Sequence, residues 1–468
     1  MPKLPAHQSD TLWGHPKGLF LLFSTELWER FSFYGMRALL VLYLTAQTTS
    51  GGLGWSETDA LKLYGIYTGL IYITPLIGGW LADNILGQRK AIVMGAILMA
   101  LGQFTLALPH ALFPDAIEPV FYLGLALLIS GNGLFKPNIS TMVGDLYPHG
   151  DHRRDGAFTI FYMGINIGSL LAGFVAGAAA IRWGWQAGFI ASGIGMLLSL
   201  LIQVLFAGRY LGDIGVIPAA RVAQGHHQVQ KAPLTAQERD RIKVILIMGL
   251  FTIIFWAGFE QAGGLMNLYT QNYTDRMLGD FEIPTAWFQS LNPFFVITLA
   301  PLVAVVWVKM GAREPNSPTK FAMGLLFLAV GFLFMVGAVL EQGGDTSVKT
   351  SMFWLVGAFL FHTLGELCLS PIGLSMVTKL APLRLASLMM GAWFGFIALA
   401  NYVAGAVGAL VGNAGPMAIF GGIAIAAVIS ALVLFCLADK LVTWMHGAEG
   451  PSHNLEQTSD DLVPTHEK

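Results

Sequence analysis

Thr25-Glu26-Leu27-Trp28-Glu29-Arg30-Phe31-Ser32-Phe33-Tyr34-Gly35 lies inside an apolar run from Gly18 to Tyr43. That run has the length a membrane-spanning helix needs. Two carboxylates and a guanidinium have no ordinary place in it. Glu26 and Arg30 are four residues apart and Glu29 is three from Glu26, so one helical face carries all three. An ionised side chain at the bilayer centre costs roughly 2.5–3.5 kcal/mol even on the gentlest scale. The face therefore looks into a bundle interior or a wet cavity. Two uses stay open: a structural ion pair that locks helices together, or a site for a substrate and a proton. The second follows because one Arg cannot fully neutralise two carboxylates, which leaves a surplus acid able to exchange a proton.

The rest of the chain has the same character. It has 468 residues, 55% hydrophobic and only 12% charged, against about 25% charged in a soluble domain. Its apolar runs are long and continuous, which points to helices and away from a barrel. The fold class is all-α integral membrane. A net charge of −2 without a basic tract gives no reason to expect nucleic acid. Cys368 and Cys436 both lie in apolar runs and offer neither a disulfide framework nor a metal-ligand spacing. Met1 to Gly14 is polar and lacks the apolar core of a signal peptide, so the first helix is expected to be retained.

Apolar runs predict spans near Gly18–Thr45, Thr58–Ala82, Arg89–Leu108, Pro119–Met142, Ala157–Ile181 and Trp185–Ala207, then Ile242–Tyr269, Ala286–Val308, Lys320–Leu340, Ser351–Leu380, Ala386–Val411 and Met417–Trp444. That makes about twelve helices. Loops rich in Lys and Arg, such as those holding Arg89-Lys90 and Arg153-Arg154, alternate with loops rich in Asp and Glu, such as that of Asp115 and Glu118. This charge alternation predicts cytoplasmic termini. A polar stretch from Arg209 to Arg241 divides the chain into two bundles of six helices, as in transporters built from repeats. The expected domains are residues 1–208, a cytoplasmic linker 209–240, residues 241–446, and a disordered tail 447–468. His226-His227 in the linker reads as solvated chain, because two adjacent histidines without further ligands are a poor metal site.

Gly78-Gly79-Trp80-Leu81-Ala82-Asp83-Asn84-Ile85-Leu86-Gly87-Gln88-Arg89-Lys90 joins the second and third spans, and Met310-Gly311-Ala312-Arg313 echoes it weakly in the second half. Phe158 to Leu170 places the amide of Asn166 at bilayer depth. The loop resembles the signature of the major facilitator superfamily. The first-helix run resembles the Glu-x-x-Glu-Arg-Phe-x-Tyr-Tyr-Gly motif of the proton-dependent oligopeptide transporter family. Gly131 to Asn138, Phe255 to Gln261, Gln289 to Pro293 and Gly365 to Pro371 look like further motifs of that family. The resemblance implies two six-helix bundles and proton-coupled import of di- and tripeptides by alternating access. It also implies residence in the cell inner membrane, action as a monomer, no cofactor beyond the coupling proton, and a peptide contact at Ser370. It implies a pair between Arg37 and Glu260 across the outer opening. Two positions depart from the family. Phe33 stands where the motif has its first Tyr, and Gly65 stands where animal members and some bacterial ones carry a His. The polar linker also argues against the two additional helices that many bacterial members insert.

The charges agree with that reading. Arg30 and Lys136 lie in the first half, Glu366 in the second. A cavity between them suits a zwitterion, with its carboxylate toward Arg30 and Lys136 and its ammonium toward Glu366. Tyr34, Tyr72, Asn166 and Asn292 are candidates to bond peptide amides, and Trp256 and Trp393 to wall side-chain pockets. Glu26, Glu29, Arg30 and Glu260 are the candidates for proton coupling. Arg37–Glu260 and Lys136–Glu366 are candidate gate pairs, the second expected when the inner side is closed. Rival readings are the same fold carrying an anion or a drug, a non-transporting sensor, and a membrane enzyme. No nucleophile with a convincing base supports the enzyme, and a pure anion site has no use for Glu366.

Overall fold

Helix formation follows from the apolar runs, because a backbone in lipid must satisfy its own hydrogen bonds. The first half holds α1 (Lys17–Thr45), α2 (Glu57–Leu81), α3 (Gln88–Leu106), α4 (Ile117–Asp145), α5 (Arg153–Trp183) and α6 (Trp185–Tyr210). The second holds α7 (Ala236–Phe259), α8 (Leu265–Tyr273), α9 (Leu291–Met310), α10 (Ser317–Gln342), α11 (Met352–Leu380), α12 (Ala386–Ala409) and α13 (Val411–Trp444). This computed structural model describes residues 11–112, 115–148, 151, 153–218, 234–382 and 385–448. The paired histidines of the linker, the first ten residues and the tail beyond residue 448 lie outside them. Among the described residues, 11 helical spans are long and apolar enough to cross a bilayer, with α7 and α8 counted as one. The remaining span is α1, which carries Glu26, Glu29, Arg30 and Arg37.

Three boundaries differ from the sequence reading, each for a local reason. The seventh span is broken: a 3-10 turn at Glu260–Ala262 and then Gly263-Gly264 separate α7 from α8. The last span starts earlier than Met417, since α13 runs back to Val411 across a kink where Gly415 adopts φ 76° ahead of Pro416. The polar stretch between the halves is partly helical. Thr235 accepts a hydrogen bond from the Glu238 amide while the Glu238 side chain returns to the Thr235 amide, and this capping box starts α7 at Ala236. Arg241 therefore lies on a helix, where it donates to the Met445 and His446 carbonyls at 3.1 and 3.3 Å and caps the end of α13. Short two-residue ladders trim the loops, among them Thr274–Asp275 paired in parallel with Thr350–Ser351.

In the first half α1 packs on α5 and α6, α3 on α4 and α6, and α2 on α4. In the second, α10 packs on α11 and α13, α7 on α12, and α9 on α11. The halves meet along two seams, α2 against α12 and α5 against α9 with the 3-10 turn Thr285–Ser290 before it. The first seam explains Gly65. A Cβ built there would lie 2.7 Å from the Cα of Gly405, so a histidine would force α2 and α12 apart.

Polar bonds between the halves gather at one end. Asn267 donates to the Ala38 carbonyl at 3.0 Å and Asn272 to Glu57 at 2.8 Å. Ser290 donates to the Leu170 carbonyl at 2.8 Å and Trp287 to that of Phe174 at 3.1 Å. This bonded end carries the α1–α2 turn and the start of α9.

Candidate functional site

The i, i+4 geometry of α1 brings Glu26, Glu29 and Arg30 together, all buried. The two carboxylates are held unequally. Glu29 takes Arg30 as a two-pronged pair, with Nη2 at 2.7 Å and Nε on the other oxygen, and accepts a further hydrogen bond from the Asn132 amide at 3.3 Å. Glu26 shares Arg30 Nε at 3.2 Å, and its second oxygen is buried without a hydrogen-bond partner. Phe33 offers its ring to Arg30, whose guanidinium carbon lies 5.1 Å from the ring centroid. That cation–π contact needs only the ring and so does not depend on the hydroxyl that Phe33 lacks.

Toward the bonded end, Arg37 Nη2 meets Glu260 at 2.5 Å across the two halves. Arg37 Nε also donates to the Tyr64 hydroxyl at 2.9 Å, and that hydroxyl lies 3.3 Å from Glu260. The break after α7 sets this up, because the 3-10 turn places Glu260 at the end of the helix, buried and facing α1 and α2.

On the second half, Asn292 donates to Glu366 at 2.8 Å and to the Thr363 hydroxyl at 3.0 Å, tying α9 to α11. Tyr34 lies within electrostatic reach of Arg30 and Arg37 on its own helix and of Glu260 and Glu366 in the second half. Tyr34, Arg37, Phe259, Gln289, Asn292 and His362 contribute to the wall of a cavity between the halves. Arg37 of the first half and Asn292 of the second, which holds Glu366, thus line one space bounded by both bundles.

The Lys136–Glu366 pair is not made among the described residues. Lys136 Nζ sits 4.3 Å from the centroid of the Tyr72 ring, while Asn292 holds Glu366. A flexible lysine finds a π face within its own half, and a contact across the cavity would have to bridge the gap between bundles. Asn166 is buried and donates to the Tyr162 carbonyl of its own helix at 3.0 Å. Trp256 stands edge-on to Phe259 at 5.1 Å, and Ser370 is half-buried one turn beyond Glu366. Trp393 lies off the cavity surface, 2% exposed and packed against Phe321 and Gly373. Sequence reasoning missed two partners, Tyr64 and Asn132, and one residue of the cavity wall, His362. His362 had a signal, since it is an ionisable group inside a span and four residues before Glu366.

A model of the POT family matches residues 89–212 and 209–419. The chain belongs to that family. It is 39% identical to peptide transporter YePEPT of Yersinia enterocolitica subsp. palearctica serotype O:3, over 94% of this chain and 97% of that protein. It is 35% identical to a di-/tripeptide transporter of Lactococcus lactis subsp. cremoris, over 82% of this chain and 87% of the other. Among solved structures it is similar to a peptide transporter POT in complex with sulfate, with a TM-score of 0.86, 35% identity, and coverage of 95% of this chain and 100% of that one.

Proposed function

We propose that this protein imports di- and tripeptides together with protons by alternating access. One observation carries the reading: Tyr34 and Arg37 of the first half and Asn292 of the second line one cavity, and Asn292 holds the Glu366 carboxylate beside it. A peptide with free termini is complementary to that field, its carboxylate toward Arg30 and Lys136 and its ammonium toward Glu366. The printed names of the relatives support the substrate class. The coupling ion is the proton, with no other cofactor, and Glu26, Glu29, Arg30 and Glu260 are the residues that couple it, one Glu26 oxygen being buried without a hydrogen-bond partner.

The positive-inside pattern assigns the bonded end to the outside and both termini to the cytoplasm, in the cell inner membrane of a bacterium. The halves are then locked on the outer side, and Lys136 and Glu366 are parted within a cavity that faces inward. Rocking about the α2–α12 and α5–α9 seams exchanges one set of contacts for the other. Each chain holds both halves of its cavity, so a monomer suffices. The test is uptake of labelled dialanine by proteoliposomes with and without an inward proton gradient. Gradient-stimulated uptake is expected, and equal rates with and without the gradient refute proton coupling. Binding of dialanine without any uptake would make the protein a sensor.

A further inference from the structure

His362 is buried on α11 with 1% of its surface exposed, and neither ring nitrogen has a hydrogen-bond partner. Its Cδ2–Nε2 edge lies against Gly331 of α10, and the Leu328 backbone of α10 acts on the ring without a hydrogen bond of full geometry. Phe332 packs on the ring at 4.7 Å and Phe259 at 6.5 Å. The Cδ2–Nε2 edge faces α10, so Nδ1 lies on the opposite edge of the ring, buried within the cavity wall to which His362 belongs. A buried polar group without a partner destabilises the protein by about 1–3 kcal/mol, so such a group calls for a function.

We infer that His362 is a specificity-determining residue whose Nδ1 accepts a hydrogen bond from a donor-bearing side chain on the N-terminal residue of the peptide. The inference rests on the peptide-transport reading, in which Glu366 takes the peptide ammonium. His362 and Glu366 are four residues apart on one helix, so their side chains are neighbours on one face. A peptide anchored by its ammonium on Glu366 therefore extends its first side chain toward His362. The aromatic walls of Phe259 and Phe359 accept the carbon part of that side chain, and the imidazole accepts a hydroxyl or amide donor at its tip. A hydrogen bond to an otherwise unpartnered site group discriminates well between isosteres, because the analogue leaves the group unpaired.

The experiment is competition against labelled dialanine in proteoliposomes, using the isosteric pair Thr-Ala and Val-Ala and the reversed pair Ala-Thr and Ala-Val. The wild-type protein is expected to prefer Thr-Ala over Val-Ala by about five- to tenfold. The reversed pair should show no such preference. His362→Leu is expected to bring the Thr-Ala to Val-Ala ratio to about one, whatever its absolute uptake rate, and His362→Gln, which keeps an acceptor, to restore part of it. A wild-type ratio of one overturns the inference without any variant. So does an unchanged ratio in His362→Leu, or a preference of equal size in the reversed pair. Failure to take up dialanine at all overturns the transport reading and the pocket with it.

Discussion

Replacing Glu260 by Gln removes one charge from the pair that ties α1 to the end of α7 across the bonded mouth. The pair is close, at 2.5 Å, and little exposed, with 13% of the Arg37 side chain and 5% of the Glu260 side chain accessible. Gln keeps the shape and one acceptor oxygen, so the contact survives as a neutral one. Hydrogen bonds to a charged group contribute about 1.5–3 kcal/mol and neutral ones about 0.5–1.5 kcal/mol, a difference of about 1–2 kcal/mol. The bonds of Asn267, Asn272, Ser290 and Trp287 at the same mouth are untouched. Glu260→Gln therefore moves the equilibrium toward the outward-open state by about five- to thirtyfold. Spin labels on the exposed positions Thr49 and Thr346, one on each half at that end, read the change as a longer distance. Acidification of the wild type is expected to lengthen the distance in the same direction. A distribution unchanged in Glu260→Gln, in a protein whose wild type still responds to pH, refutes the gate.

Glu26→Gln should depress gradient-driven dialanine uptake far more than counterflow exchange, because Glu29 and Asn132 still hold Arg30 and its surroundings in place; equal loss of both activities would assign the cluster to substrate orientation alone. Lys136→Ala should lower uptake about ten- to hundredfold at low peptide concentration, the contribution of one charge-assisted contact to a carboxylate, and near wild-type uptake at equal expression would make the lysine structural. N-acetylated dialanine should compete poorly, since it brings no ammonium to Glu366, and competition equal to the free dipeptide would remove the role given to that carboxylate. Gly65→Ala should destabilise the protein by about 1–3 kcal/mol through overpacking against Gly405, read as a lower melting temperature in detergent, whereas an unchanged melting temperature would contradict the close approach of α2 and α12.

The number of spans, their order and most of their limits were legible in the sequence, because lipid leaves an apolar backbone no alternative to the helix and the required length is fixed by the bilayer. The clustering of Glu26, Glu29 and Arg30 was legible too, since it depends only on helical spacing within α1. Breaks within a span were harder to read. Gly263-Gly264 and Gly415-Pro416 sit inside apolar runs, and hydropathy does not register a change of backbone angle.

What only the tertiary structure decided is the partner of each buried polar group. Spacing alone could not say that Asn132 from α4 supports Glu29 and leaves one Glu26 oxygen bare. It could not say that Lys136 lies over Tyr72, or that Trp393 turns into the second half's core. Nor could it explain Gly65, whose reason is the Cα of Gly405, 340 residues away in sequence. The physical cause is the same in each case. A helix fixes neighbours three and four residues apart by its own geometry, so those contacts are written locally. Contacts between helices depend on rotation, tilt and closeness of approach, which are set by the packing of every other helix in the bundle.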